Sequence, residues 1–321
     1  MKIGNLTLKH GLFLGPMAGY TDYGMREVCK RLGAEYLVTE MVSAKAVLHN
    51  DKKTCALAYI PKSQTPCAIQ IFGSEPEIMA EAATTLTKPI GSAAPVAIDI
   101  NMGCPVHKIY SNGEGSALMK NPELIYRITK AVSSAIDIPT TVKIRSGINK
   151  NSINATECAL AAEEGGASLI CVHGRTREQM YGGLADREIT KNVKSALHIP
   201  VIANGDILSG EDALSMLRDT GADGIAIGRG AVGNPFIFSE ITAALNGEDF
   251  AEPSIEARVD AALFQLKEAI ADKGERVAIP ESRKQIALYL KSFRGAAQIR
   301  AKINHATTYE EVEAALKSAL D

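Results

Sequence analysis

The sequence predicts an α/β protein: a (β/α)8 TIM barrel over residues 1–245, followed by a helical domain over residues 246–321. Three observations carry that prediction. Short apolar runs alternate with helical patterns eight times in roughly 240 residues, the expected span of such a barrel. The runs are apolar throughout instead of alternating, as strands buried on both faces are. From about Pro253 strand signals stop and helical spacing takes over.

In order, Ile3, Leu6 and Leu8 alternate around Gly4-Asn5 and predict a small hairpin. Leu12 to Leu14 is the first barrel strand, with a helix from Thr21-Asp22 to Arg31. Tyr36 to Val38 is the second and leads to Glu40. Cys67 to Phe72 precedes a helix near Glu75 to Leu86, and Val96 to Ile100 precedes one near Pro122 to Ser134. Thr140 to Ile144 is followed by a helix near Asn154 to Glu164, and Leu169 to Val172 by one near Glu188 to Ala196. Val201 to Ala203 precedes a helix near Gly210 to Asp219, and Ile225 to Ile227 one starting at about Asn234-Pro235. The tail reads as helices over Ala257 to Ala271, Glu281 to Phe293, Gly295 to Ile303 and Tyr309 to Leu320.

Polar residues gather at the carboxyl ends of the strands: Met17, Glu40, Gln70, Asn101, Lys143, Arg145, His173, Arg175, Asn204, Asp206 and Arg229. Barrel enzymes build their sites on that rim. One such residue could be a helix cap; a ring of them is hard to explain that way. Asn204-Gly205-Asp206 and Gly228-Arg229-Gly230 follow strands seven and eight, where barrels usually hold a phosphate. Lys143 and Arg145 share strand five, and both are expected at the mouth only if the strand end loses its regularity.

Asp99 to Lys108 contains a strand exit with a cysteine, Cys104, between Gly103 and Pro105; Gly113 and Gly115 end the loop. Glycines there allow the loop to move or a ligand to approach. Taken alone, Cys104 is as readily a packed thiol as a functional one. The chain has 321 residues, is 46% hydrophobic and carries a net charge of -2, so no overall basic character points to nucleic acid. Its six cysteines form no C-x-x-C pair and no metal site is expected. Reduced thiols, a polar-interrupted start and no membrane-length apolar run lead us to expect a cytoplasmic protein. A local basic stretch does exist. Arg283 to Lys302 holds six basic residues and no acidic one. Lys291 and Lys302 would share a face of a continuous helix, unless Gly295 breaks it. A solvated helix face is the plainer reading of that stretch.

Asp99-Ile100-Asn101-Met102-Gly103-Cys104-Pro105, with Lys108 and Gly113-Glu114-Gly115, resembles the signature of the tRNA-dihydrouridine synthases. Pro16-Met17-Ala18-Gly19, Val142-Lys143-Ile144-Arg145, His173-Gly174-Arg175-Thr176, Asn204-Gly205-Asp206 and Gly228-Arg229-Gly230 look like that family's other blocks, in the same order. Tyr289-Leu290-Lys291, Gly295-Ala296-Ala297 and Arg300 are similar to its bacterial B-type (DusB-like) branch. Two departures stand out. The family often has Trp where Arg187 and Ala287-Leu288 stand, and often Pro where Arg294 stands; these bear on helix packing or the choice of tRNA position.

The resemblance implies reduction of tRNA uridine to 5,6-dihydrouridine with FMN as cofactor and NADPH as reductant. It carries over Cys104 as proton donor. It implies flavin contacts from Pro16, Met17, Ala18, Gln70, Lys143, His173, Asn204, Gly205, Asp206, Gly228 and Arg229. Asn101, Arg145 and Tyr181 are expected at the uracil. Arg175, Arg177, Lys284, Lys291, Arg294 and Arg300 are expected at tRNA phosphates. No obligate protein partner is evident, so a monomer is expected. Two other readings stay open. A small-molecule FMN barrel, similar to a dihydroorotate dehydrogenase, explains the flavin blocks and not the basic tail. A tRNA-binding folding factor explains the tail and not the cysteine loop.

Overall fold

Eight buried runs pair only with parallel neighbours and close on themselves. The computed structural model describes residues 1–89, 91–291 and 293–320. Strands β1 (Lys2–Ile3) and β2 (Leu6–Thr7) form the antiparallel hairpin. Ile3 and Leu8 pack with Phe13, Tyr36, Leu169 and Ile202 inside the barrel, so the hairpin closes its amino-terminal end. Then come β3 (Leu12–Leu14), α1 (Tyr23–Arg31), β4 (Tyr36–Val38), β5 (Val42–Ser43), α2 (Ala44–Leu48), α3 (Lys52–Leu57), β6 (Cys67–Phe72) and α4 (Pro76–Leu86). Next are β7 (Ile98–Met102), α5 (His107–Ser111), α6 (Pro122–Ala135), β8 (Thr140–Arg145), α7 (Ala155–Glu164), β9 (Leu169–His173) and α8 (Arg187–Ala196). The barrel ends with β10 (Val201–Asn204), α9 (Gly210–Thr220), β11 (Gly224–Ile227) and α10 (Ile237–Asn246).

The order β4-β3-β11-β10-β9-β8-β7-β6 closes through β4–β6, and every one of these pairings is parallel. The predicted barrel is therefore the observed one. Strand β5, with α2 and α3, had no clear apolar signal; β5 extends the β4 edge of β6, pairing Val42 with Ile71. Val28, Met79, Ile128, Ala159 and Val193 belong to the core that packs the helix ring onto the strands. Helix starts follow their side-chain chemistry. Asp22 caps α1, Asn121 caps α6 and Ser209 caps α9, each accepting a free backbone N–H of the first turn.

The tail folds as α11 (Ile255–Lys273), α12 (Glu275–Ile286), α13 (Ala296–His305) and α14 (Tyr309–Lys317). Val259, Leu266, Ile286, Tyr289, Ile303 and Leu316 form part of a separate apolar cluster there. The expected helix over Glu281 to Phe293 is displaced: α12 starts six residues earlier at Glu275, contains Pro280 and stops at Ile286. A turn then runs through Lys291, Ser292 lies outside the described residues, and Gly295 at φ 91° starts α13. Lys291 and Lys302 therefore do not share a helix face. The tail seats closely on the barrel. At Gly233, on the exit from β11, a Cβ would lie 2.4 Å from the Cβ of Leu288, so a side chain there would push the two apart. Arg187 forms an exposed pair with Asp219 of α9 at 2.6 Å.

Candidate active site

The carboxyl ends of the strands open into a cavity of about 730 Å³. In a parallel pair, residues in register point the same way, and residues two apart on a strand share a face. Gln70, Asp99 and Thr141 lie in register across β6, β7 and β8; Asn101 and Lys143 form the next step up. Lys143 and Arg145 both face the mouth from a regular strand. The expectation that this needs an irregular strand end is corrected by the same periodicity.

Pro16, Met17, Ala18, Gln70, Asn101, Cys104, Lys143, Arg145, His173, Arg175, Tyr181, Asn204, Gly205, Asp206, Gly228, Arg229 and Lys291 line this cavity. Arg177, Lys284, Arg294 and Arg300 do not. Tyr20, Met41, Val106, Ile207, Leu208 and Leu288 line it as well, and sequence reasoning missed them. Met41 follows Glu40 at a strand exit, a signal that was available. Leu288 comes from the tail, where nothing in its helical pattern marks a cavity wall.

Cys104 is half-buried, and its loop is held from several sides, the Ser116 N–H donating to the Cys104 carbonyl at 3.1 Å. Asn101 Oδ1 accepts the Cys104 N–H at 2.8 Å, and Arg145 Nε donates to the Gly103 carbonyl at 2.8 Å. Burial pushes the Cys104 thiol above its ordinary value, against the opposing pull of the Val106 N–H, Arg145 and Lys143. The group is therefore a protonated thiol at neutral pH, suited to giving a proton and not to nucleophilic attack. Lys143 Nζ donates to Asn204 Oδ1 at 3.1 Å. Burial is the main force lowering the lysine's pKa, with Arg145 adding to it.

His173 is held neutral, first by burial and then by Lys143, Arg145, Arg175 and Arg229. Its Nε2 lies 3.4 Å from Arg175 Nη1. A guanidinium can only donate, so Nε2 accepts and Nδ1 carries the ring proton. Gly205 at φ 126° sits against this ring; a Cβ there would lie 3.1 Å from His173 Cδ2 and 2.7 Å from the Ala185 Cβ. Asp206 follows at φ 52°, a left-handed backbone held by its partners. Arg175 Nη2 reaches its two oxygens at 2.7 and 2.8 Å, and the Ala185 N–H reaches Oδ2 at 2.7 Å.

The rim arginines have different surroundings. Arg175 is 1% exposed and spends its donors on Asp206 and the Gly182 and Gly183 carbonyls, so it cannot grip an external phosphate. It pins the 182–185 loop instead. Arg145 donates through Nε and Nη1 to the Gly103, Thr176 and Met180 carbonyls, bracing the cysteine loop while it lines the cavity. Arg177 lies over the Tyr110 ring at 3.9 Å, outside the cavity. Arg229 remains half-exposed, near the Tyr181 ring at 5.0 Å and Asp206 at 3.5 Å. Lys284 is exposed and stands over Tyr20 at 4.2 Å.

The Arg175–Asp206 pair makes stability depend on acid. Burial pushes the Asp206 carboxyl up, yet the Ala185 N–H, Arg175 and Arg229 bring it below the ordinary range. A depressed folded value means the contribution is complete above the unfolded carboxyl value of roughly 3.9 and is lost as pH falls through the folded one. Asp206→Asn should lower stability at neutral pH by about 2 kcal/mol, given that Asp206 is partly exposed. The gap in melting temperature between variant and wild type should close in acid; a gap constant down to pH about 2 would refute the pairing energy.

Among the described residues no group of His, Cys, Asp and Glu could hold a metal, and no helix is long and apolar enough to cross a membrane. All six cysteines are free.

Residues 13–321 match the profile of the family described as Dihydrouridine synthase (Dus). A "Probable tRNA-dihydrouridine synthase" of Rickettsia conorii is 40% identical over 95% of this chain and 91% of its own. A "tRNA-dihydrouridine synthase B" of Pseudomonas putida is 39% identical over 95% and 89%, and one of Xanthomonas campestris 40% identical over 97% and 92%. Among solved structures, morphinone reductase superposes with a TM-score of 0.55 at 11% identity, covering 80% of this chain and 91% of that one. Histamine dehydrogenase from a Rhizobium gives 0.58 at 12%, covering 84% and 50%. At such identities these two show the fold alone.

Proposed function

The chain belongs to the tRNA-dihydrouridine synthase family, DusB-like in its relatives, and from that premise we propose that it reduces tRNA uridine to 5,6-dihydrouridine using FMN and NADPH, with Cys104 as the acid. The observation that carries this reading is a protonated, half-buried thiol opening into the same cavity as Lys143 and the two glycine-rich turns.

The lining fits an anionic cofactor. Lys143, Arg145 and Arg229 present cations to it, Lys291 stands at its mouth on the tail, and Arg175 is spent on the one lining carboxylate, Asp206. Lys143 has no carboxylate partner of its own among the described residues. The volume, about 730 Å³, lies within the usual range of roughly 300–1,000 Å³ for cofactor sites. When bound and reduced by NADPH, FMN supplies a hydride to C6 of the uracil. Lys143 would balance the negative charge of the reduced ring; Gly228 and Arg229 would hold the phosphate, with His173 as a neutral hydrogen-bond partner. Pro16, Met17 and Ala18 would pack the ring, and Gln70, Asn204, Gly205 and Asp206 would frame it.

Negative charge then develops at C5 and O4 of the substrate, since C5=C6 is conjugated with the C4 carbonyl. Cys104 answers it. The S–H bond breaks, a C5–H bond forms, and the thiolate regains its proton from solvent. Asn101 and Tyr181 would position the uracil, which must leave the tRNA stack to reach the mouth. Residues 1–245 would act as the catalytic unit and 246–321 as the tRNA-binding unit, presenting Lys284, Lys291, Arg294 and Arg300 to phosphates. A cytoplasmic, monomeric enzyme completes the proposal.

The first test is colour. Purified protein should carry the visible absorbance of an oxidised flavin, released as FMN on denaturation. A colourless preparation that FMN cannot reconstitute would sink the cofactor assignment and the reaction with it. A small-molecule barrel is less well supported, because Leu288 and Lys291 of the tail form part of the cavity wall.

A further inference from the structure

We propose that Asp99 is a positioning residue: through Gln70 and Asn101 it sets the polarity of a buried hydrogen-bond chain that ends on the backbone of the Cys104 loop, and so fixes where the thiol sits. The part that concerns the reaction rests on the reading of Cys104 as the acid.

The chain can be followed atom by atom. Thr141 Oγ1 donates to Asp99 Oδ1 at 2.5 Å. Gln70 Nε2 donates to Asp99 Oδ2 at 2.7 Å. Asn101 Nδ2 donates to Gln70 Oε1 at 2.8 Å. Asn101 Oδ1 then accepts two backbone N–H groups, Gly103 at 3.1 Å and Cys104 at 2.8 Å. Asp99, Gln70 and Asn101 are 5%, 1% and 8% exposed, so water does not compete freely for these bonds. The strand register places the members side by side: Gln70 is level with Asp99, and Asp99 with Thr141.

Both ends of the chain have fixed chemistry. A carboxylate only accepts, and a backbone N–H only donates. Gln70 must therefore turn its NH2 toward Asp99, which turns its carbonyl toward Asn101. Asn101 must answer with its own NH2, which leaves its oxygen for the loop. Reversing Gln70 sets like groups against each other at two contacts, and reversing Asn101 does so at three. An amide otherwise has two near-equivalent orientations; here the carboxylate selects one for both. Burial raises the Asp99 pKa, while Thr141, Gln70 and Lys143 oppose the rise. The same bonds that Asp99 uses to orient the chain thus favour its charged form.

The loop needs this anchor. Arg145 braces the Gly103 carbonyl and the Ser116 N–H braces the Cys104 carbonyl at 3.1 Å, which leaves the Gly103 and Cys104 N–H groups to Asn101. With Asn101 reversed, an NH2 would face those two N–H groups, and the loop would lose its inner support on the cavity side.

The test uses the full-length protein as purified, with Asp99→Leu and Asp99→Asn. Leucine keeps the approximate volume and removes the acceptor. Asparagine keeps the polarity, because its carbonyl can accept from Gln70 while its NH2 donates to Thr141 Oγ1. The first readout is the rate at which iodoacetamide alkylates Cys104, followed by mass spectrometry of its peptide; this needs no tRNA. Asp99→Leu should raise that rate roughly tenfold, and Asp99→Asn should stay within about twofold of wild type. Dihydrouridine formation should fall in the leucine variant and recover in the asparagine variant. Equal alkylation in wild type and Asp99→Leu would overturn the proposal, as would an asparagine variant as reactive as the leucine one. Should Asp99→Leu fail to fold, Gln70→Met breaks the chain while leaving Asp99 with Thr141. It must then show the same rise, and an unchanged rate overturns the proposal. Wild-type protein that makes no dihydrouridine would refute Cys104 as the acid, while the alkylation comparison still decides what Asp99 does.

Discussion

Cys104→Ala should abolish dihydrouridine formation while its flavin stays bound and continues to be reduced by NADPH. The expected loss is roughly 10²–10⁴-fold, the usual worth of a positioned general acid. Cys104 presents a protonated thiol to the cavity, and the proposed reading places it beside C5. His173 is held neutral and its Nε2 accepts from Arg175; on the proposed reading Lys143 would serve as the charge opposite the cofactor. The thiol's pKa is raised, chiefly by burial, so the acid form persists through neutral pH. The sign follows directly. The acid is present below the raised value and lost as pH rises through it, so the wild-type rate of a proton-limited step should decline only in alkali, above the ordinary thiol range. Nucleosides from treated tRNA give the product yield, and stopped-flow bleaching gives flavin reduction. Undiminished dihydrouridine from the alanine variant would remove Cys104 from the mechanism. A rate that already falls with rising pH at or below neutrality would show that another group is the acid.

The barrel was legible because parallel strands buried on both faces leave unbroken apolar runs, as in Val201–Asn204 and Gly224–Ile227. The rim was legible because polar residues such as Gln70, Asn101 and His173 interrupt those runs near their carboxyl ends. Short elements were not. Strand β5 and helices α2 and α3 are too brief to show a period, and β5 exists only as an extension of the β4 edge. The start of α12 was not legible either. A proline favours a helix start, and here it lies inside the helix, among residues held by the tail's own packing. The arginines show a deeper limit. A strand-end arginine predicts an acceptor nearby, but sequence does not say whether that acceptor is a ligand's phosphate or the protein's own carbonyl. Arg145 and Arg175 satisfy themselves on the Thr176, Met180, Gly182 and Gly183 carbonyls. Arg229 keeps its exposure. The division between structural and ligand-facing cations is therefore a property of loop geometry, which the pattern of residue types does not encode. Asp99 was invisible as a positioning group for the same reason: its importance lies in two amides that register brings beside it.

Reversing charge at the tail, with Lys291→Glu and Arg294→Glu together, should weaken tRNA binding roughly 10–100-fold at low salt and leave flavin content and NADPH oxidation intact. Lys291 lies in the turn after α12 and faces the cavity mouth, although it belongs to the helical tail. Leu288, three residues before it, packs against Gly233 at the exit of β11, which holds that turn in place. On the proposed reading, a tRNA presenting one extruded uridine to Cys104 would pass its backbone near this turn, within reach of Lys291 and the exposed Arg294. Each phosphate neutralised by a lysine or arginine releases counterions. Losing two such contacts should therefore flatten the slope of log affinity against log salt by about 1.5 units. That change in slope separates a direct phosphate contact from misfolding, which would weaken binding without a defined salt signature. It also separates tail from chemistry: at saturating tRNA the double variant should approach the wild-type turnover. Affinity and slope both equal to wild type would return the basic run to a solvated surface and require the tRNA to approach across another part of the rim.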